Sequence, residues 1–403
     1  MLKKISQLYK KLGPAFIVLE SDNDQGAIST YAQAGALYGF GMLWVIAFLL
    51  PITYFCQECV VRLAIVTQKG PVTLIKERFG KIWSKVSLFN LYLINFLTLI
   101  TEFAGINLIS QAFHLNSYIT VPLSIVLLCL LVSPFNYNRW ERIMVALCIF
   151  DLLWIGLALF IPYHHLNFSA NFTFGIHSHT YLTDIMAIIG TTVAPFQLFF
   201  QHSCILDKQM SIDQLKEEKT ETFFGSFFTI IVALCMMAVG AIGFFNHWTF
   251  IDVPHLVLQI QTVLGPWFSN LLFLLVINAS IIGTAGVTLS SSWAYAEDKG
   301  YERSLNKKFN EARNFYFHYF GSIALAGLVT LYPHLPLETV IIGVQVLSCV
   351  MLPYQLILMQ LLLNDIKIMG IHKNSMSKNI IINCIIFIII ILSLCLCEQA
   401  IFK

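Results

Sequence analysis

The chain has 403 residues, 57% of them apolar and only 11% charged, with a mean hydropathy of +0.75. A soluble domain carries about a quarter charged residues, so this composition excludes one and defines a polytopic membrane protein. The formal net charge of +2 carries little weight by itself; the placement of the charges carries more.

Eleven apolar spans follow one another at about 13–36, 42–66, 86–112, 119–134, 142–163, 181–203, 222–246, 265–294, 314–333, 338–363 and 379–398. Each is near the roughly 20 residues that a helix needs to cross a bilayer. Unpaired backbone is not tolerated in lipid, so the expected fold is all-α. The first span does not read as a signal peptide, because acids and a glycine interrupt it.

That first span holds Glu20, Asp22 and Asp24. A charge at bilayer depth is costly and usually functional. No Lys or Arg lies near the middle of any span. Only protons, or a cation that comes and goes, can then neutralise these carboxylates, which points to a cation pathway. Glu20 and Asp24, four apart, share a face if the helix is intact there. Asp22 belongs either to an outer ring of acids or to the cap of a second half-helix. In span two, Glu58 and Arg62 read as an intrahelical ion pair. Cys56 and Cys59 have metal-motif spacing, but like most of the ten cysteines they lie in an apolar run and read as small buried thiols. Asp151, in span five, has no basic neighbour in sequence. It either hydrogen-bonds across helices while protonated or lines an exit path. His164, His165, His177 and His179 share one loop, read as a wet, low-affinity cluster, and Asn167 and Asn171 head glycosylation sequons.

Two spans carry helix-breaking chemistry near their middle: Asp24-Gln25-Gly26 in the first and Thr191-Thr192-Val193-Ala194-Pro195-Phe196 in the sixth. Glycine weakens a helix, and proline removes an amide donor. Breaks five spans apart are what two inverted five-helix halves would give. The expected division is 13–163 and 181–363, with 379–398 an extra helix, all within one transporter domain. Of the 24 basic residues, all but Lys403 fall on one side of the spans. The positive-inside rule puts that side, and the N-terminus, in the cytoplasm, with the C-terminus outside. Runs such as 299–313 are then a solvated cytoplasmic face, not a nucleic-acid surface.

Several motifs carry a resemblance. Gly13-Pro14, Asp24-x-Gly26, Gln33-Ala34-Gly35-Ala36 and Leu43-Trp44 resemble the first-span region of the Nramp divalent-metal transporters. Gln57-Glu58-x-x-x-Arg62-Leu63 followed by Val66-Thr67-x-Lys69-Gly70 does so too. Gln345-Val346-Leu347-Ser348 with Leu352-Pro353 is similar to the tenth span of that family, and Asn364-Asp365 with Met369-Gly370 to the loop after it. The resemblance covers nearly the whole chain in order. It implies a LeuT-like 5+5 inverted repeat with helices 1 and 6 broken.

Departures from the family pattern narrow the expectation. Asp-Pro-Gly-Asn becomes Asp24-Gln25-Gly26-Ala27, so the aspartate stays and the asparagine is lost. Met-Pro-His becomes Ala194-Pro195-Phe196, and Gln201 stands where a second histidine is common. Glu102 matches a family glutamate, but Leu99 replaces the aspartate before it. This set resembles the Nramp-related magnesium transporters. Methionine sulfur suits transition metals, whereas Mg²⁺ wants oxygen ligands and keeps several waters.

The resemblance implies a role for each residue. Asp24 is the metal anchor, Ser21 and Thr191 offer backbone carbonyls, and Gln345 offers an amide oxygen directly or through water. Gly26, Ala27, Ala194, Pro195 and Phe196 line the site. Glu20 and Asp22 form an outer shell, and Glu102 is either a residual proton site or a structural hydrogen-bond partner. The expected function is a uniporter-like secondary transporter of Mg²⁺ and Mn²⁺ in the plasma (inner) membrane, with weak or no proton coupling. A proton-coupled Mn²⁺/Fe²⁺ importer and an amino-acid or other organic-solute carrier are the alternatives. The expected partners are the transported metal and the lipid bilayer, around a monomer with no nucleic acid and no cofactor. No His-Glu-x-x-His or Gly-x-Ser-x-Gly motif suggests an enzyme.

Overall fold

In this computed structural model the described residues are 13–132, 136–161 and 179–401. His164, His165 and His177, the sequons, the first four lysines and Lys403 lie outside them. Every predicted span is mainly helical over its described residues. The first is two pieces, α1 (Pro14–Glu20) and α2 (Gln25–Tyr38). Then come α3 (Leu43–Thr67), α4 (Pro71–Phe79), α5 (Lys81–Ala112) and α6 (Ser117–Leu130). Span five is α7 (Tyr137–Asp151) and α8 (Leu153–Leu159), interrupted at Leu152. Span six is α9 (His179–Thr192) and α10 (Pro195–Asp207). The remainder are α11 (Leu215–Phe245), α12 (Val253–Leu264), α13 (Pro266–Lys299), α14 (Arg313–Val329), α15 (Leu337–Asn364), α16 (Ile366–Met369) and α17 (Met376–Ile401).

Eight of these segments are long and apolar enough to cross a membrane by themselves. Spans one, four and nine fall short for local reasons: a break at Ser21–Asp24, 14 residues in α6 and 17 in α14. Besides the one-turn α16, two helices lie where apolar patterning predicts only connections. Pro71 starts α4 and Gly80, at φ +90°, stops it. Asp252 caps α12 by accepting from the His255 amide at 2.7 Å, and Gly265, at φ +85°, ends it. Both are too short and too one-sided to span, so hydropathy alone does not find them.

Small residues let the central helices touch. A Cβ on Gly35 would strike the Met237 carbonyl, and one on Gly240 the Ala32 carbonyl. The α2–α11 pair therefore packs backbone to backbone, as small residues allow in membranes. The same device joins α9 to α15: a Cβ on Gly190 would overlap the Gln345 carbonyl, and Ser348 Oγ donates to the Gly190 carbonyl at 3.0 Å. Gly190→Ala is expected to cost about 1–3 kcal/mol by overpacking, read as a lowered melting temperature of purified protein. An unchanged melt would mean that α9 and α15 are not in contact here.

Candidate cation site

The two breaks meet in the middle of the bundle, and each releases one carbonyl. In α9 the Thr191 carbonyl would accept from the residue four ahead, but that residue is Pro195, which has no N–H. In the first span the Ser21 carbonyl would accept from Gln25 N, but that amide donates instead to Glu102 Oε2 at 3.3 Å. Both carbonyls predicted as ligands are thus free of their helical partners for different chemical reasons.

Asp24 begins α2. Its Oδ1 accepts from the Ala27 amide at 2.9 Å, so Asp24 is the N-cap. Asp22 is not; its two carboxylate oxygens are buried without a hydrogen-bond partner among the described residues. Of the two readings left open for Asp22, the cap is the one that the geometry rejects. Because the helix is broken, Glu20 does not share a face with Asp24. It turns to α11, accepting from Asn23 Nδ2 at 3.1 Å and Thr229 Oγ1 at 3.4 Å.

The remaining groups close around Asp24. A Cβ on Gly26 would collide with the Gln345 amide and stand 3.1 Å from Asp24 Oδ1. Gln345 therefore lies across the glycine, beside the carboxylate. A Cβ on Gly283 would stand 2.7 Å from Glu102 Oε1 and 2.8 Å from Asp24 Cβ. That absence of a side chain on α13 lets Asp24 and Glu102 approach each other. Thr191 Oγ1, Gln345 Nε2 and Glu102 Oε1 are buried with no partner among the described residues. Ala27 and Ala194 are buried and add no donor, and Phe196 packs fully in the core. Ser21, Asp24, Thr191 and Gln345 are each at most 3% exposed, so these groups are closed off from solvent. No three His, Cys, Asp or Glu side chains converge as a metal cage among the described residues. Asp24 with Glu102 beside it, the Gln345 amide and the two released carbonyls offer oxygen donors, the kind that hard cations take.

Sequence reasoning missed the polar braces around this site. Gln197, in the first turn of α10, accepts from the Ala194 amide at 3.1 Å and donates to the Thr192 carbonyl at 3.4 Å, so one side chain spans the break. Gln57 on α3 donates to it at 3.2 Å. Tyr31 and Thr192 hydroxyls pair at 2.7 Å, tying α2 to α9. Toward the end away from the lysines, Asp184 on α9 accepts from Gln33 Nε2 at 3.0 Å and from Tyr38 Oη at 2.7 Å, both on α2. Toward the basic end, the predicted Glu58–Arg62 pair forms at 3.1 Å and grows into a knot. Lys219 and Lys378 reach the same carboxylate at 2.8 and 2.7 Å, joining α3, α11 and α17. Apart from the Glu58–Arg62 pair and the Gln197 brace, these groups are made by sequence-distant contacts, of which spacing gives no sign. Asp151 hydrogen-bonds across helices, accepting from Asn278 at 2.7 Å. Cys56 and Cys59 are buried free thiols.

Half-helices meeting around a buried carboxylate, with bonded clusters toward either end, are the build of a secondary membrane transporter. A model of the Nramp family, described as natural resistance-associated macrophage protein-like, matches residues 15–398. The chain belongs to the Nramp family. The divalent metal cation transporter MntH of Staphylococcus saprophyticus is 25% identical, covering 98% of this chain and 93% of that protein. The Staphylococcus aureus (strain bovine RF122) MntH is also 25% identical, over 96% of this chain. The manganese transporter of Eremococcus coleocola shares the fold, with a TM-score of 0.72 at 17% identity over 95% of this chain and 85% of that one. MhsT, solved with L-phenylalanine, does so at 0.60 and 16% identity, over 96% and 98%. These likenesses confirm the all-α fold class with helices 1 and 6 broken, and the relatives are transporters rather than enzymes.

Proposed function

We propose that this chain carries divalent metal cations through the plasma membrane by alternating access, taking Mg²⁺ and also Mn²⁺, with weak or no proton coupling. Relatives matched over almost the whole chain are named divalent metal cation transporters, which supports the substrate class. One observation carries the choice of ion. Asp24, in the first break, lies beside the Gln345 amide and Glu102, with no sulfur at 194 and no imidazole at 196. An oxygen-only site with small walls suits a hard cation that keeps part of its water.

In this reading the halves 13–163 and 181–363 rock about the site, and the segment 379–398 stands outside the repeat. Asp184 with Tyr38 and Gln33 bars the outer approach, and the Glu58 knot bars the cytoplasmic one. The N-terminus is cytoplasmic and the monomer is the working unit. The membrane potential drives entry, worth about 2.3 kcal/mol per charge per 100 mV. The test is Mg²⁺ uptake by proteoliposomes with and without a proton gradient. Uptake that tracks the potential and ignores the gradient supports the proposal; absence of Mg²⁺ uptake alongside Mn²⁺ uptake rejects it.

A second reading, proton-coupled Mn²⁺ import, rests on a specific feature: Glu102 stands against Asp24 and takes the Gln25 amide. It predicts internal acidification driven by Mn²⁺, removed by Glu102→Gln. Uncoupled transport predicts no acidification in either protein, with Glu102→Gln lowering flux less than about tenfold because it keeps a hydrogen-bond acceptor for Gln25. An organic-solute carrier is disfavoured by Asp24, since a substrate carboxylate would seek bare helix N-termini.

A further inference from the structure

One cavity lies away from the broken helices. A cavity of about 840 Å³ lies at the basic end of the bundle, between the ends of α3 and α15 and the short helices α4 and α16. Lys69, Arg78 and Lys367 line it, with Glu77 and Asp365. Its wall is apolar, formed by Val66, Leu74, Leu361 and Ile366, and Leu361 and Ile366 stay 50% and 64% exposed. We propose that this cavity binds an anionic phospholipid, with the phosphate held by the three cations and the upper acyl chain laid on the apolar wall.

Three features support this occupant. First, the cavity sits where two membrane spans end, at Thr67 and Asn364, which is headgroup level. Second, the charges do not cancel. The Lys367 amide, then Arg78, hold the Asp365 carboxyl below its usual range, so it is ionised. Glu77 is paired with Lys69 at 2.7 Å. Two acids thus face three bases, and Lys367 makes no ion pair of its own among the described residues. Third, one of the two ion pairs is easily exchanged. Lys69 and Glu77 are 51% and 52% exposed, and pairs of that kind hold weakly. A phosphodiester offers the same cations a partner that also buries the apolar wall. Basic pockets at this membrane level bind lipid headgroups, and Leu361 and Ile366 distinguish this one from a site for a free phosphate.

The experiment uses the full chain in detergent. Phosphatidylglycerol, phosphatidylcholine or glycerol phosphate is added, and binding is read by native mass spectrometry and by thermal shift. Phosphatidylglycerol is expected to be retained and to raise the melting temperature, with phosphatidylcholine and glycerol phosphate weaker by fivefold or more. Lys367→Gln and Lys69→Glu should each lower its retention several-fold. Lys307→Glu, on another basic loop, should leave it unchanged. Lys367 is exposed, so its variant decides if the Lys69 variant fails to fold. Equal binding of the two lipids, equal loss in the Lys307 variant, or full displacement by glycerol phosphate overturns the proposal.

Discussion

Asp24→Asn is expected to abolish metal flux in proteoliposomes while the purified protein melts within about two degrees of wild type. The reasoning separates two jobs of one side chain. Asp24 caps α2 through Oδ1 and the Ala27 amide, and asparagine caps a helix as well as aspartate does. What asparagine cannot supply is the anion. Without it, a dication that must shed part of its hydration loses the carboxylate at the start of α2. Losing one charged ligand is worth about 3 kcal/mol or more, roughly a hundredfold in affinity. Asp24→Ala should lose the flux and also about 1 kcal/mol of stability through the cap, so comparing the two variants divides transport from folding. Near-normal flux in the asparagine variant would remove Asp24 from the metal's path.

Ala194→Met is expected to shift selectivity from Mg²⁺ toward Mn²⁺ and Cd²⁺ by about ten- to a hundredfold, read as competition of each ion for uptake. Ala194 is the N-cap of α10 and is buried, three residues after the released Thr191 carbonyl. A thioether there would bring a soft sulfur to the ion, favouring transition metals over Mg²⁺. It would also take space from the hydration shell that Mg²⁺ keeps. The variant should keep the Gln197 brace, because that brace uses the backbone amide of residue 194. A selectivity ratio indifferent to residue 194 would mean that the ion does not pass beside the second break.

Much of this protein is legible from residue order. Apolar length finds the eleven spans, because lipid demands that each segment satisfy its own backbone. The acids at 20, 22 and 24 and the proline at 195 mark where two helices fail, because charge and a missing N–H are local properties. The chain therefore determined by itself its class, its broken helices and the carboxylate to examine.

The rest depended on which segments came together. That Asp24 rather than Asp22 caps α2 follows from where the chain turns, not from spacing. That the Ser21 carbonyl is released depends on Glu102, 77 residues beyond Gln25, taking that amide. Gly283 matters only because its missing side chain makes room for two acids from other helices. Asp184 meets Tyr38 across 146 positions, and Lys378 meets Glu58 across 320. Local hydrophobic periodicity records which face of a helix is apolar, but not which neighbour it meets. Tertiary packing decided those partners, because close contact between particular small residues sets the helix positions and polar side chains pair with whatever that contact brings within reach.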